Sequence, residues 1–342
     1  MRRSPVSNKR IKLLATGGTI AAAGEDGLTP ALSAGALLSY LPGLERLCVA
    51  DGEDILALDS SNMQPEEWRA IAHATFHALE TCDGVVITHG TDTLAYTASM
   101  LSFMLRGLRK PVILTGSQLP IAHMAGDGRS NLADAFATAL TGRPGVYVVF
   151  NRKIILGSRA TKLRAMSFDA FESVNCPLAG TLDARGAHLA HPQPVTGQTE
   201  LRPELCDAVC LVKLIPGTRP ALLEALGDLG YRGVVIEAFG VGGLHHLRRD
   251  LIDSLGALRA RGVAVVVTTQ CLYDSTDLSL YAVGKQLGAR GVIPAHDMTT
   301  EAAVTKLMWV LGQAGDIGDL DEVERRMLRD YCGEIGSSAP PG

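Results

Sequence analysis

The feature that most constrains the fold is a recurring run of apolar residues, rich in Val and Ile, that ends in a glycine or a polar turn. Nearly continuous apolar runs of this length are typical of strands that are covered on both faces, as in parallel sheets. The runs occupy residues 11–18, 84–90, 111–117, 145–150, 153–159, 208–215, 233–240 and 262–270. We therefore expect a protein built on sheets whose strands are buried beneath helices.

Helical patterns lie between many of these runs. They cover residues 65–81, 93–108, 131–141, 247–260 and 299–313. The first pattern carries apolar residues at helical spacing, and Ser61 and Asn62 precede it as candidate caps. Strands that alternate with helices predict an α/β fold.

A proline-rich stretch divides the chain, which at 342 residues is long enough for two domains. Its sequence, HPQPVTGQTELRP, contains three prolines and lacks apolar periodicity, as linkers do. We predict a larger N-terminal α/β domain with a mostly parallel sheet over residues 9–190 and a linker over 191–205. A smaller C-terminal α/β domain, similar to Rossmann or flavodoxin folds, is predicted over 206–335.

Charge and composition argue against several classes of partner. The net charge of −4 provides no basic field to attract nucleic acid. No apolar stretch approaches the roughly 18 residues that a membrane span needs, and the apolar run after the basic residues 1–10 is too short for a signal peptide. The seven cysteines include no C-x-x-C pair. These observations predict a cytoplasmic protein with reduced thiols.

Polar motifs follow four of the predicted strands in the N-terminal half. They are TGGT (16–19), DSSN (59–62), HGTDT (89–93) and TGSQ (115–118). Ligands of open α/β sheets bind at the carboxyl ends of the strands. Glycines in these motifs permit close approach of the backbone, and a following helix N-terminus favours an anionic group. We therefore expect a site for a small, charged, polar ligand.

These motifs resemble those of a known family, the bacterial-type L-asparaginases, and in particular its cytoplasmic, type I branch. The similarity extends over nearly the whole chain. The matching segments are LLATGGTIA (13–21), DSSNM (59–63), GVVITHGTDTL (84–94), LTGSQ (114–118), GDGRSNL (126–132), ATKLRAMSFDAFESVN (160–175), QCLYD (270–274) and DMTTEAAVTKL (297–307). The resemblance implies a large N-terminal and a small C-terminal α/β domain, assembled as homodimers or homotetramers, and hydrolysis of the side-chain amide of L-asparagine.

The resemblance also assigns the chemical groups. It implies that Thr19 is the nucleophile and that Thr91, Lys162 and Asp92 form a second catalytic set. A threonine hydroxyl is a weak nucleophile until a base takes its proton, and a lysine can be that base only in its neutral form. A nearby carboxylate such as Asp92 favours the charged amine instead. No metal and no cofactor is expected.

Other positions are implied to hold the substrate. Ser61 and Asp92 would bind its α-carboxylate and α-amino group. Asn62, Gly90 and the backbone near Ser117 would line the pocket. Together these residues predict a pocket for a free amino acid.

The chain departs from the family in one segment. Many relatives carry a tyrosine in the loop after the first threonine motif, but residues 20–39 contain none. Either Thr29 or another group takes its place, or activation of Thr19 depends on something else. Activation of Thr19 is therefore less well defined than the role of Thr91.

Two other functions stay open. The same fold serves as the glutamine amidase subunit of a tRNA-dependent amidotransferase. Such subunits usually carry an extra N-terminal domain, whereas only about ten residues precede the first predicted strand here. A non-catalytic amino-acid-binding protein is the other alternative, which retention of both threonines, the lysine and the aspartate disfavours.

A metal site is weighed and set aside. His73 and His77 have a helical spacing that could hold zinc, but the residues between them lack a glutamate, and no third ligand is obvious.

Overall fold

The computed structural model describes residues 8–23, 29–190, 197–314 and 319–336, without the side chains of residues 29 and 30. Residues 1–7 of the basic N-terminal segment and residues 191–196 of the predicted linker lie outside the described residues. So do residues 24–28 of the loop in which the tyrosine is missing.

The described elements alternate as the sequence predicts. The strands are β1 Arg10–Gly17, β2 Ala22–Ala23, β3 Thr29–Pro30, β4 Val49–Leu58, β5 Gly84–Thr88, β6 Leu105–Arg106, β7 Pro111–Thr115, β8 Gly145–Phe150, β9 Lys153–Leu156, β10 Ala160–Lys162, β11 Phe171–Ser173, β12 Gly180–Asp183, β13 Gly186–Leu189, β14 Glu200–Leu201, β15 Val209–Lys213, β16 Gly233–Ala238, β17 Ala264–Thr269 and β18 Ile293–Pro294. The α-helices are α1 Ala34–Ser39, α2 Pro65–Thr81, α3 Leu94–Met104, α4 Gly128–Leu140, α5 Pro220–Asp228, α6 Leu251–Ala260, α7 Ala282–Ala289, α8 Thr300–Gln313 and α9 Leu320–Met327. Single 3-10 turns occupy Thr19–Ala21, Leu44–Arg46, Ser60–Asn62 and Gly157–Arg159.

The chain forms two compact units. One contains the described residues up to Ser173 together with Pro177–Pro203, and the other contains Val174–Cys176 together with the described residues from Glu204 onward. The short segment Val174–Cys176 belongs to the second unit although it lies within the predicted N-terminal domain. The domain limits predicted from the sequence stay a prediction.

An eight-stranded sheet forms the larger unit, in the order β13-β12-β9-β8-β7-β5-β1-β4. Neighbouring strands from β4 to β8 are parallel, whereas the pairs from β8 to β13 are antiparallel. Every residue of β5, β7 and β8 is buried, because helices cover these strands, as their unbroken apolar runs predict.

The second unit is built on a four-stranded parallel sheet, in the order β15-β16-β17-β18. Its core contains Val234, Ile236 and Val265 from the strands and Leu251 and Leu255 from α6. The predicted fold class is confirmed: a larger, mostly parallel α/β domain and a smaller α/β domain.

Helix α2 spans the residues that the apolar spacing predicts, but its predicted caps are wrong. The cap is Gln64, whose backbone N–H donates to the Glu67 carboxylate over 2.8 Å in a capping box. Ser61 and Asn62 belong to a separate 3-10 turn before the helix. Their side chains are therefore not used by α2.

Within the stretches that the structure describes, no helix has both the length and the apolar character that a membrane span requires.

Candidate active site

The four polar motifs lie at the ends of four adjacent strands. These strands, β4, β1, β5 and β7, are neighbours in the sheet, and the register pairs Ala15 with Thr88 and Thr88 with Thr115. Because parallel strands end at the same edge, the motifs that follow them share one edge of the sheet. The predicted clustering of these motifs is therefore observed in the larger unit.

Two glycines bring the threonine motifs into contact. Gly18 has a φ of 76°, and a Cβ atom built on it would lie 2.3 Å from the backbone N of Gly90. A side chain at Gly18 would therefore separate the two segments. Thr19 and Thr91, which follow these glycines, therefore start from backbones in direct contact.

Thr19 is the first residue of the turn Thr19–Ala21 and is partly exposed. Within the described part of the chain, no residue forms a hydrogen bond with its hydroxyl. The structure does not describe the side chain of Thr29, so its substitution for the family tyrosine stays a prediction.

The second predicted catalytic set, which consists of Thr91, Asp92 and Lys162, is in contact in the structure. Lys162 Nζ lies 2.8 Å from Thr91 Oγ1 and 2.7 Å from Asp92 Oδ1. The Lys162 side chain is 15% exposed and that of Asp92 is 60% exposed, while Thr91 is buried. The lysine thus reaches an inner hydroxyl from one side and a solvent-facing carboxylate from the other.

Local structure leaves Asp92 available for this contact. Thr93 is the N-cap residue of α3, but its side chain makes no capping hydrogen bond. Its hydroxyl donates instead to the carbonyl O of Ser60 over 2.8 Å, which joins the motif after β5 to the motif after β4. A capping role for Asp92 or Thr93 alone would not explain these contacts.

The predicted substrate-binding side chains after β4 face solvent. Ser61 and Asn62 are both exposed in the turn Ser60–Asn62, which the Asp59 carboxylate holds by accepting from the Ser61 N–H over 2.8 Å. Gly90 packs against this turn, since a Cβ on Gly90 would lie 2.5 Å from Ser60 Oγ. The turn and the threonine motif therefore hold one another in place.

Ser117 is buried, and its hydroxyl donates to the carbonyl O of Leu119. Its side chain is therefore engaged within its own loop, in keeping with a role for the backbone there. The next residue, Gln118, accepts a hydrogen bond from Thr91 Oγ1 over 3.2 Å. Sequence reasoning did not assign Gln118 a role, although it belongs to the same TGSQ motif.

The buried side chain of His89 supports the backbone of the HGTDT motif. His89 Nδ1 lies 2.7 Å from the carbonyl O of Gly90 and Nε2 lies 2.9 Å from Thr97 Oγ1. That hydroxyl in turn accepts from Trp68 Nε1 over 3.0 Å. Burial lowers the pKa of His89 to about 4 despite the opposing effect of the Gly90 carbonyl. A neutral ring donates from Nδ1 to Gly90 and accepts at Nε2 from Thr97.

Among the residues that the structure describes, no group of three or more His, Cys, Asp or Glu side chains is arranged to hold a metal ion. The groups that contact one another at this edge of the sheet include the Thr91 hydroxyl, the Lys162 amine, the Asp92 carboxylate and the Gln118 amide.

Family models match both units of the chain. The model described as "Asparaginase, N-terminal" matches residues 10–195, and the one described as "Glutaminase/Asparaginase C-terminal domain" matches residues 208–325. The fold and the site define a two-domain α/β protein with paired threonine motifs at the edge of a parallel sheet. The chain belongs to the asparaginase family, so the resemblance drawn from its motifs is confirmed.

Individual relatives align over almost the whole chain. An L-asparaginase of Thermococcus kodakarensis is 44% identical, covering 96% of this chain and 100% of that protein. The solved structure of a thermostable L-asparaginase from the same organism has a TM-score of 0.91 and 42% identity, covering 96% of this chain and 100% of that one. A glutamyl-tRNA(Gln) amidotransferase subunit from Pyrococcus furiosus is 39% identical, covering 97% of this chain and 78% of that protein.

Proposed function

We propose that this protein is a hydrolase that converts L-asparagine and water into L-aspartate and ammonia. The observation that carries the proposal is the contact of one amine, Lys162 Nζ, with both the Thr91 hydroxyl and the Asp92 carboxylate. Membership of the asparaginase family and the similarity to a named L-asparaginase support the choice of substrate.

The reaction proceeds in two acyl-transfer steps. The Thr19 hydroxyl attacks the side-chain amide carbon of asparagine, its proton leaves with the departing ammonia, and an ester to Thr19 forms. A water molecule then attacks that ester, giving aspartate and restoring the hydroxyl. In each step neutral Lys162 takes the proton of Thr91 while Thr91 takes one from the attacking nucleophile. The proton then returns through the pair to the leaving group, which is ammonia in the first step and the Thr19 oxygen in the second.

Substrate binding also prepares the lysine. Asp92 is mostly exposed, so its carboxylate can turn to the α-ammonium group of asparagine. That contact weakens the attraction of Asp92 for the charged amine of Lys162, and the neutral form needed for catalysis becomes easier to reach. Ser61, exposed on the adjacent turn, binds the α-carboxylate of the substrate. Asn62 on the same turn lines the pocket around the substrate, together with Gly90 and the Ser117 backbone.

A second candidate function is glutamine amidohydrolysis that supplies ammonia to a partner enzyme. The similarity to an amidotransferase subunit over 97% of this chain favours it. The two functions differ in substrate, since the amidotransferase reaction would use glutamine in place of asparagine. Their relative rates therefore distinguish them.

The active form is a cytoplasmic homodimer or homotetramer, in which the C-terminal domain of a neighbouring copy completes the site. Apolar side chains of the turn after Lys162 support this assembly, because Leu163, Met166 and Phe168 are 36%, 88% and 42% exposed. Light scattering combined with an activity assay over a dilution series tests it. Loss of activity on dissociation is expected, and a fully active monomer would rule it out.

Ammonia release tests the proposed reaction. The purified protein is incubated with L-asparagine or L-glutamine over a range of concentrations, and kcat/KM is compared, with D-asparagine as a control for stereochemistry. We expect asparagine to be hydrolysed with a kcat/KM at least tenfold above that of glutamine. A preference for glutamine would favour the amidotransferase alternative, and no ammonia from either would refute both.

A further inference from the structure

The side-chain amide of Gln118 joins two parts of the site. Its Nε2 lies 2.9 Å from the carbonyl O of Ala165 and 3.0 Å from that of Ser167, in the turn between β10 and β11. Its Oε1 lies 3.2 Å from Thr91 Oγ1. One amide therefore connects the turn that follows Lys162 with the hydroxyl that Lys162 contacts.

The partners of this amide determine its orientation. Backbone carbonyls only accept hydrogen bonds, so the group that faces the turn must be the NH2, and the group that faces Thr91 must be the carbonyl. The backbone of Gln118 is held as well, since its N–H lies 3.0 and 3.1 Å from the two carboxylate oxygens of Asp127. A flipped amide would set its oxygen against the carbonyls of Ala165 and Ser167 and lose both of those bonds.

This orientation gives the hydrogen bonds at Thr91 a direction. A lysine ammonium only donates, and the Gln118 carbonyl only accepts. The Thr91 hydroxyl therefore accepts from Lys162 over 2.8 Å and donates to Gln118 over 3.2 Å. Its hydrogen points away from the amine that would remove it.

We propose that Gln118 is a positioning residue that holds the hydroxyl hydrogen of Thr91 away from Lys162, and thereby raises the pH at which the pair becomes active. The inference rests on the proposed function. For the transfer, the hydroxyl rotates until its hydrogen faces neutral Nζ; the proton passes from Oγ1 to Nζ, and the bond to Gln118 is lost. Neutral Nζ can accept the Thr91 hydrogen only when the bond to Gln118 is lost, whereas the charged amine keeps its own bond to Thr91 without that loss. Gln118 therefore disfavours the neutral form relative to the charged form.

The other charged groups around these residues stay the same in both Gln118 variants considered below. Asp92 is paired with Lys162, and Asp127 accepts from the Gln118 backbone. The hairpin of β10 and β11 contributes Arg164, Asp169 and Glu172, which pair with one another and with Lys153.

Two substitutions at Gln118 should move the pH dependence in opposite directions. Gln118→Met removes the acceptor, so the acid-side midpoint of kcat/KM should fall by about 0.5–1 pH unit, the size that one hydrogen bond can produce. Gln118→Glu keeps an acceptor and adds a negative charge that favours the ammonium of Lys162, so its midpoint should rise. Both variants lose the bonds to the turn.

A matched control separates positioning from support of the turn. Arg164 donates to the carbonyl O of Asp169 over 2.7 Å and to Glu172 Oε1 over 3.1 Å, and no described contact joins its side chain to Thr91. Arg164→Met should therefore lower the rate modestly and keep the wild-type midpoint.

Midpoints are measured with the full-length protein on asparagine, or on glutamine if that is the better substrate. Opposite shifts in the Gln118 variants support the proposal. Unchanged midpoints in both, or shifts in the same direction, would overturn it while leaving the wild-type activity and the proposed function intact. If Gln118→Met does not fold, as judged by circular dichroism, Gln118→Leu takes its place, because it also removes the acceptor and should also lower the midpoint.

Discussion

Lys162 and Thr91 are 71 positions apart in the sequence, yet a hydrogen bond of 2.8 Å joins Nζ of one to Oγ1 of the other. Lys162 is the last residue of β10 and pairs with Phe171 of β11, so a hairpin determines where the lysine backbone lies. Thr91 lies between β5 and α3, buried at the edge of the main sheet. The proposed catalytic contact therefore depends on how the hairpin packs beside the sheet.

Both threonines should be essential to the reaction without being essential to the fold. Thr19→Ala and Thr91→Ala should keep a native circular dichroism spectrum and lose kcat/KM by roughly 100-fold or more, because each removes a reacting hydroxyl. Thr138→Ala is the control, since that buried hydroxyl donates to Asp134 within its own helix. Activity within about threefold of wild type in either site variant would refute the assignment.

Burial of neutral His89 should make the fold sensitive to acid. Its pKa is about 4 in the folded chain, against an ordinary value of 6.5. The unfolded chain therefore binds the proton first, and stability falls as the pH drops from about 6.5 to about 4, by about 3 kcal/mol from this group. Urea unfolding at several pH values measures the effect.

The variant His89→Gln isolates that contribution, because it has no titrating ring. It should be less stable than wild type at pH 7, since the bonds to Gly90 and Thr97 change, and the difference should shrink toward pH 4. A difference that is independent of pH would contradict the assignment of a buried neutral histidine.

The second unit contains a fully buried ion pair whose disruption should be costly. Lys306 Nζ lies 2.7 Å from Glu334 Oε1, and both side chains are 0% exposed. Burial alone would raise the pKa of Glu334, but attraction by Lys306 lowers it to about 2. Glu334→Gln leaves a buried ammonium without its carboxylate and should reduce the free energy of unfolding by about 3–5 kcal/mol.

A partly exposed pair provides the comparison. Glu322 lies on α9 within 2.5 Å of Arg326, and Glu322→Gln should cost no more than about 1 kcal/mol. Thermal and urea unfolding of both variants check the difference. Losses of equal size would show that the Lys306 pair contributes no more than a surface contact does.

The sequence predicted the strands that have a simple apolar pattern and missed those that do not. In β4 the apolar run covers only residues 55–58, whereas the strand spans Val49–Leu58. Its first half carries charged residues, which are tolerated because Lys12 on the adjacent strand pairs with Asp51 and Glu53 over 2.8 and 3.0 Å. Charged residues that pair with a neighbouring strand give no strand signal within their own segment of the sequence.

The candidate site also contains features that the sequence predicts and features that it does not. Clustering of the four motifs followed from the rule that parallel strands end at one edge, but the approach of Lys162 was implied only by the family resemblance. The role inferred for Gln118 depends on the carbonyls of Ala165 and Ser167, and backbone oxygens carry no sequence signal. Asn175 is similar, because it joins the second unit by donating to Asp274 O and Asp297 O over 3.0 and 3.1 Å.

The most direct test of the proposed chemistry is the activity of Lys162→Met across pH, measured as ammonia release from L-asparagine, with binding of asparagine followed by calorimetry. Methionine keeps the length of the side chain and removes the amine, so asparagine should still bind while kcat falls by roughly 100-fold or more and the acid-side limb of the wild-type profile disappears. Lys153→Met is the matched control, because that lysine pairs with Asp169 and Glu172 and makes no described contact with Thr91, and it should keep most of the activity. A Lys162→Met protein with the wild-type rate and pH profile would contradict the claim that the Lys162–Thr91 pair performs the reaction.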